Sequence, residues 1–471
     1  MQHFDLCVIG SGSGNSLIDE RFSDWRVALV DENPEFGGTC LNRGCIPTKM
    51  FVVPADYASS VEHANALGVA LRGGRVNWPQ VRDRVFGRID PIAASGLEWR
   101  EQSRNVTVFR ARGQFVDDHT LRVGDQTITA DRFVIATGSR PFRFDIPGVE
   151  DEAVAPFIHT SDTVMRLEKL PGSMVILGGG YIAAEFAHVF SAFGVDVTII
   201  NRSERILRTE DADISVRFTE LMGERVPLRL NQRVAAIEPG DREGEVIVVT
   251  KDRNGIEYLY ETECVLMAVG RVPNSDTLNL EATGVHVEEN GRIRVDSTQL
   301  TSVPHIWAIG DVSSPWGLKH VANHEARVVQ HNLLHPQDPI KADHRYVPHA
   351  VFSEPQVAAV GATEAQLQEW GRPYVKTIQP YGSVAYGWAL EDTQHFVKLL
   401  ADPLTWHLLG AHIIGPAAPT LIQPLIQAMS FGLDIKQMAR GQYWIHPALT
   451  EVVENALLSL LNAERPAELE G

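Results

Sequence analysis

The feature that most constrains this chain is a unit that occurs twice: apolar strand, glycine-rich turn, helical segment, second apolar strand. The first copy runs from Phe4–Ile9 through Gly10-Ser11-Gly12-Ser13-Gly14-Asn15 and a helical segment to Val27–Val30, and ends in Asp31. The second runs from Met174–Leu177 through Gly178-Gly179-Gly180-Tyr181-Ile182-Ala183 and a helix to about Phe193, then Val195–Ile200. Each is the pattern of a dinucleotide-binding unit, in which the tight turn lets backbone N–H groups at a helix start face a pyrophosphate. A lone glycine fingerprint says little, but two complete units in one chain predict two dinucleotides.

The copies differ in two places. The third small residue, which packs helix on strand, is Ala183 in the second unit, whereas Asn15 stands there in the first. The first unit ends in an acid, Asp31 with Glu32 as the next candidate, able to accept a ribose hydroxyl. The second ends in Asn201-Arg202, with Arg205 and Arg208 close behind. Arginines pair bidentately with a 2′-phosphate that a carboxylate would repel, which favours a phosphorylated nicotinamide nucleotide. A solvated basic face without a ligand is the alternative.

Directly after the first unit comes GGTCLNRGCIPTKM, Gly37 to Met50, with two of only four cysteines in 471 residues. On an ideal helix Cys40 and Cys45 would lie about 140° apart around the axis and roughly 8 Å apart along it. A disulfide wants Cα atoms within about 7 Å, so a bridge needs a bent turn, which Gly44 and Pro47 allow. Two unrelated buried thiols are the other possibility. Four cysteines at this length make no secreted disulfide framework, and in a chain that looks cytosolic a lasting disulfide is more often catalytic.

The length suggests about three domains. Hydrophobic residues make up 44% and charged residues 22%, as in an ordinary soluble protein. A formal net charge of -18 argues against a nucleic-acid partner or an anionic membrane surface. No apolar stretch has membrane-spanning length, and Met1–Ile9 reads as a strand, not a targeting segment. Short strands are expected between Val106 and Ala136, ending at Thr137-Gly138-Ser139, and a linker near Phe142–Pro156. Ile306–Ile309 should be a strand leading into Gly310-Asp311, where Asp311 could hold a flavin-side sugar chain. Further strands are expected at Val384–Ala389, Phe396–Leu400 and Leu408–Ile414. Apolar helices at Leu421–Phe431 and Leu449–Leu460 follow, then a polar, frayed tail from Asn462 to Gly471.

Two nucleotide units and a dithiol suggest a relay from nicotinamide through a flavin to a disulfide and an external acceptor. Thiol–disulfide exchange then needs an acid–base group. His446, in WIHPALTE, is the best candidate, with Glu451 placed to orient its ring; a buried histidine at a helix start is the plainer possibility. Lys49, one turn after Cys45, and Glu185, on the second unit's helix, could pair across domains; two solvated charges would be the duller outcome. The 17 histidines lack paired ligand spacing, so no metal site is expected.

GGTCLNRGCIPTK, ATGSRP, GGGYIAAEF, AVGRVPN, AIGD and HPALTE occur in this order. Over almost its whole length the chain thereby resembles the pyridine nucleotide–disulfide oxidoreductases, the class of glutathione reductase and dihydrolipoamide dehydrogenase. FGRIDPIAASG, HTSDTVMR, LKHVANHEARVVQHNL and GQYWIHPALTEVVENALL resemble the branch of that family acting on mycothiol disulfide, mycothione. The resemblance implies an α/β fold: two Rossmann-like three-layer ββα nucleotide-binding domains plus an α+β C-terminal dimerisation domain. It divides the chain into an FAD-binding part (1–145), an NADPH-binding domain (146–272), a central domain completing the FAD site (273–341) and an interface domain (342–471).

It further implies that Cys45 is the flavin-proximal thiol and Cys40 the interchange thiol, in a cytoplasmic homodimer whose active sites are shared between subunits. His446, paired with Glu451, would act from the partner subunit, and Lys49 would pair with Glu185 beside the flavin and the nicotinamide. FAD would lie against Gly10, Gly12, Gly14, Asp31, Glu32, Gly38, Thr39, Lys49, Thr137, Gly138, Gly310 and Asp311. NADPH would lie against Gly178, Gly180, Tyr181, Ala183, Glu185, Arg202, Arg208, Gly270 and Arg271, with Tyr181 covering the nicotinamide site. Ser203 stands where glutathione reductase would have a histidine, so the phosphate has fewer cationic contacts. Dihydrolipoamide dehydrogenase would favour an acid in place of Asn201 and NADH as donor. A flavin-binding partner protein with vestigial chemistry would not need both cysteines, His446 and Glu451.

Overall fold

Leu6–Ile9 and Val27–Val30 are apolar at every position and buried at every position, as strands covered on both faces must be. They pair in parallel, Cys7 opposite Ala28 and Ile9 opposite Val30. The computed structural model describes residues 1–73 and 75–463, so all but the first two residues of the expected tail lie outside the described residues. The pair sits inside a five-stranded parallel sheet in the order Ile306–Ala308, Phe133–Ile135, Leu6–Ile9, Val27–Val30, Val106–Phe109. Because side chains alternate between faces, Leu6, Val8 and Leu29 pack with Val329 and Leu333 of the helix Lys319–Leu334. Cys7, Ile9 and Val30 pack instead with Phe115, Leu121 and Ile128 of a four-stranded second sheet.

The same three layers recur around Ser173–Leu177. The parallel order there is Ile158–Thr160, Val265–Met267, Ser173–Leu177, Asp196–Asn201, Leu228–Leu230. Met174 and Ile176 pack against Ala183, Phe186 and Phe190 of the helix Tyr181–Ala192. Val175 and Leu177 face Ile237, Val246 and Val248 of an antiparallel three-stranded meander. The C-terminal part is a five-stranded antiparallel sheet covered by the helices Gln423–Phe431 and Thr450–Leu461. The architecture is therefore the expected α/β class, with two three-layer units and an α+β end. No helix among the described residues is long and apolar enough to cross a membrane.

Two local expectations fail. Val384–Ala389 is not a strand: Tyr381–Ser383 forms a 3-10 turn and Ala385–Ala389 a short helix. The chain doubles back so tightly that a Cβ on Gly387 would lie 1.8 Å from the Tyr381 carbonyl oxygen. The first glycine turn is followed only by the 3-10 turns Gly14–Leu17 and Glu20–Phe22, because Asp19 caps a new turn through the Arg21 N–H before a longer helix can form.

Candidate active site

The helix Gly38–Asn42 carries Cys40 and stops at Arg43; a new helix of 22 residues begins with Cys45. Gly44 makes the break possible, since a Cβ there would sit 2.9 Å from the Thr39 carbonyl oxygen and 3.4 Å from Cys40 Cα. This is the bent turn that the cysteine spacing required. Both residues are free thiols, and they interact directly. The hydrogen bond from Cys40 draws the exposed Cys45 down to about 7 against partial desolvation, helped by its own backbone N–H and by Lys319 and opposed by Glu185. The same bond, with burial, pushes Cys40 up. A helix N-terminus favours the anion, so Cys45 is the thiolate of the pair.

One turn on, Lys49 Nζ lies 2.9 Å from the centre of the Phe352 ring and has no hydrogen bond. Burial lowers its pKa to about 8, with Glu185 and Asp56 opposing. Glu185 accepts the Phe352 N–H at 2.9 Å, and burial raises its pKa against the pull of Lys49. The two charges thus influence each other without closing the expected ion pair: each is engaged by Phe352, the ammonium by its ring and the carboxylate by its N–H. Below them the fully buried His188 ring bonds Asp56 at 2.7 Å.

The first glycine turn forms a cradle at the strand ends. Gly10 has φ +113°, and a Cβ there would lie 2.3 Å from the Ala136 carbonyl oxygen. A Cβ on Gly38 would lie 2.6 Å from Gly12 Cα, so these two backbones touch. The residue that packs the turn on the sheet is Gly14, whose Cβ would meet Ala136 Cβ at 2.8 Å and Val8 Cγ1 at 2.9 Å. Asn15 therefore need not be small: its Oδ1 accepts from the buried Arg100 at 2.6 Å, and Arg100 also holds the Asn15 and Ile18 carbonyls. Asp31 is buried, accepting Ser11 N–H at 2.7 Å and Asn33 N–H at 2.8 Å. Glu32 instead pairs with Arg112 at the surface, 2.7 Å away.

Thr137 Oγ1 is buried without a partner, and Gly138 follows it in a left-handed conformation. Ser139 Oγ donates to Asp311 at 2.6 Å, while the Gly310 N–H donates to the buried Glu325 at 2.7 Å. Thr39 lies between Gly38 and Cys40 on the short helix. Lys319 bonds Ser13 at 2.9 Å and acts on both cysteines. Lys319, Glu325, Arg100 and Phe352 were not singled out from the sequence. Lys319 lies in the LKHVANHEARVVQHNL segment, but nothing local marks it as a neighbour of the thiols.

In the second unit Gly178 has φ +120° and would place a Cβ 2.3 Å from the Ala268 carbonyl oxygen. Gly180 caps the helix that Tyr181 begins, with open space where its Cβ would be, and Ala183 is buried against the sheet. Tyr181 is 47% exposed. Its partial burial pushes its hydroxyl up to about 12, with the nearby Arg271 pulling it down. Asn201 Nδ2 holds the Arg205 carbonyl at 2.9 Å and so shapes the arginine loop. Arg202 and Arg208 are exposed, and neither guanidinium has a partner among the described residues. Gly270 has φ +129° with open space around it. Arg271 lies near Tyr181 and also donates to Ser139, through Nε to Oγ at 2.8 Å and Nη2 to the carbonyl at 2.6 Å.

His446 Nδ1 and Glu451 Oε1 are 2.7 Å apart, and the histidine side chain is 72% exposed at the chain's surface. Asp118, His119 and His305 also lie close together. Their two rings are stacked in parallel at 4.0 Å, however, and imidazole lone pairs lie in the ring plane, so the rings do not converge on one ion.

Residues 4–326 match the family model of the pyridine nucleotide-disulphide oxidoreductases, and 347–457 match its dimerisation domain. The chain is 50% identical over 470 residues to a mycothione reductase of Mycobacterium tuberculosis, covering 98% of this chain and 100% of the relative. It is 34% identical to a dihydrolipoyl dehydrogenase of Chlamydia muridarum, covering 97% of each. Among solved structures, the HOCl-induced flavoprotein disulfide reductase of Escherichia coli superposes with a TM-score of 0.84 at 28% identity, over 96% of this chain and 99% of that one. The chain belongs to the pyridine nucleotide-disulphide oxidoreductases, enzymes that use FAD and NAD(P)H.

Proposed function

We propose that this enzyme reduces mycothione to two mycothiol molecules, with NADPH as donor and FAD and the Cys40–Cys45 pair as carriers. The observation that carries the chemistry is the split between the thiols, one drawn toward the thiolate at a helix start and the other held as the donor. The substrate rests on the 50% identical relative matched over its whole length. The glycine cradle, the unpartnered Thr137 hydroxyl and the acceptor-free Lys49 ammonium fit a flavin nucleotide, with Asp31 at its ribose and Asp311 at its sugar chain. When bound, FAD supplies a two-electron carrier between the nicotinamide and the disulfide.

The chain's own residues do the rest. Arg202 and Arg208 take the 2′-phosphate, and Tyr181 covers the nicotinamide site. With the pair reduced, His446 takes the Cys40 thiol proton as Cys40 attacks one sulfur of mycothione, forming a mixed disulfide, and passes that proton to the first mycothiol thiolate expelled. The Cys45 thiolate then attacks the Cys40 sulfur, restoring the internal disulfide and expelling the second mycothiol. Glu451 fixes the His446 ring through Nδ1, leaving Nε2 for proton transfer. Its exposure suits action across a homodimer interface, and the matched dimerisation domain supports the homodimer.

Arg271 serves as a strut between the units, and Glu32 stays on the surface with Arg112. Of the proposed boundaries at 145, 272 and 341, the second falls inside the strand Arg271–Pro273, which pairs with Ser139–Pro141. A cytoplasmic setting suits an enzyme that keeps a small thiol reduced. Steady-state turnover with NADPH should be far higher with mycothione than with glutathione disulfide or lipoamide. Equal turnover of lipoamide with NADH would contradict the assignment.

A further inference from the structure

The loop between the strand Asp196–Asn201 and the helix Ala212–Arg225 carries both unpartnered arginines. Within its own unit it is fastened at Leu207, a non-glycine residue with φ 50°, whose N–H donates to the Gly179 carbonyl at 2.6 Å. Such a conformation persists only where the surroundings impose it. The loop's far end is fastened from outside the unit, by the C-terminal antiparallel sheet. His349 bonds both carboxylate oxygens of Glu210, at 2.8 and 2.9 Å. Lys398, 1% exposed, reaches Asp211 at 2.8 Å, Asp213 at 2.6 Å and Glu364 at 2.6 Å.

A buried ammonium is costly unless paired and hydrogen-bonded. Here three carboxylates meet its three donors, and Lys376 balances part of the excess negative charge by bonding Glu364 at 2.7 Å. Burial alone would raise Asp211, but the Lys398 ammonium and the Glu364 N–H hold it below the ordinary carboxylate range, so the cluster is ionic. Asp211 is itself fully buried and stands three residues after Arg208.

We propose that Lys398, aided by His349, is a positioning residue of the NADPH site: through Asp211 and Glu210 it sets the loop so that Arg202 and Arg208 meet the 2′-phosphate. This rests on the assignment of those arginines to that phosphate. The C-terminal sheet thereby contributes to nucleotide selection as well as to subunit contact.

The test uses the full-length, FAD-loaded enzyme with Lys398→Met and, separately, His349→Gln. KM is measured for NADPH and NADH, and calorimetry gives the Kd of adenosine 2′,5′-bisphosphate. Lys398→Met should raise the NADPH KM and the bisphosphate Kd about tenfold, the scale of one charge-assisted contact, with kcat and the NADH KM changed less than about twofold. His349→Gln leaves the buried cluster intact and should raise the same two quantities about threefold, so the test stands even if Lys398→Met does not fold. Unchanged bisphosphate affinity in a folded variant, or equal weakening of NADPH and NADH, would overturn the proposal. If Arg202→Ala and Arg208→Ala also leave that affinity unchanged, the arginine assignment itself fails; if they weaken it and Lys398→Met and His349→Gln do not, only the positioning role fails.

Discussion

In the first nucleotide unit the second strand runs into Asp31, a buried carboxylate anchored by the N–H groups of Ser11 and Asn33. In the second it runs into Asn201, an amide that shapes a loop presenting two unpartnered guanidiniums. Both turns rest on the same backbone contact: Gly10 on Ala136 and Gly178 on Ala268 would each place a Cβ 2.3 Å from the carbonyl oxygen of a neighbouring strand end. The turn is thus fixed by the sheet, while in the proposed function ligand choice is set by the residue that ends the next strand. Only the first unit is followed by a broken helix that brings two thiols together.

The strongest way to break this comparison is to remove the chemistry that only the first unit carries. Cys45→Ser should lower disulfide turnover by at least about 10³-fold, because a lost nucleophile is not replaced. The NADPH affinity should stay unchanged, since the second unit is untouched; a parallel loss of affinity would show that the units are not separable. Next, Arg202→Ala or Arg208→Ala should raise the NADPH KM about 10- to 100-fold each, the worth of a hydrogen bond to a charged group. The NADH KM and FAD retention should not move.

Much of this was legible in the sequence. The strands are short and apolar between glycine turns, so period and turn chemistry both pointed to them. A bend near Gly44 and Pro47 was what a bridge between the two cysteines would need, and the helix breaks at Gly44. What escaped depends on distant chain. Phe352, which engages both Lys49 and Glu185, lies 167 residues beyond that glutamate, and no local pattern announces the meeting. Arg100 reaches Asn15 from 85 residues away and turns an apparent defect of the glycine motif into a bonded position. At Val384–Ala389 the composition suited a strand, and the close approach of Gly387 to the Tyr381 carbonyl decided otherwise.

A pH titration sharpens the contrast between the thiols. With Cys45 near 7, its thiolate is present above that pH and is lost as pH falls through it. The ultraviolet thiolate absorbance of the reduced protein, taken as the difference between wild type and Cys45→Ser, should fall about tenfold from roughly pH 8 to pH 6. The smallest effect contrasts a closely packed glycine of the first turn with an open one of the second. Gly14→Ala should destabilise by about 1–3 kcal/mol through overpacking against Val8 and Ala136, read as a lower urea midpoint. Gly180→Ala, with open space at its Cβ, should leave the midpoint unchanged.

The central claim is that the two thiols have separate tasks, Cys45 toward the flavin and Cys40 toward the substrate. Anaerobic titration of the FAD-loaded enzyme with NADPH tests it most directly, through the long-wavelength absorption of a thiolate lying against the flavin. The band should appear on reduction in the wild type, be present before NADPH is added in Cys40→Ser, and be missing in Cys45→Ser. A band that survives Cys45→Ser, or that is absent from Cys40→Ser with its flavin oxidised, would contradict it.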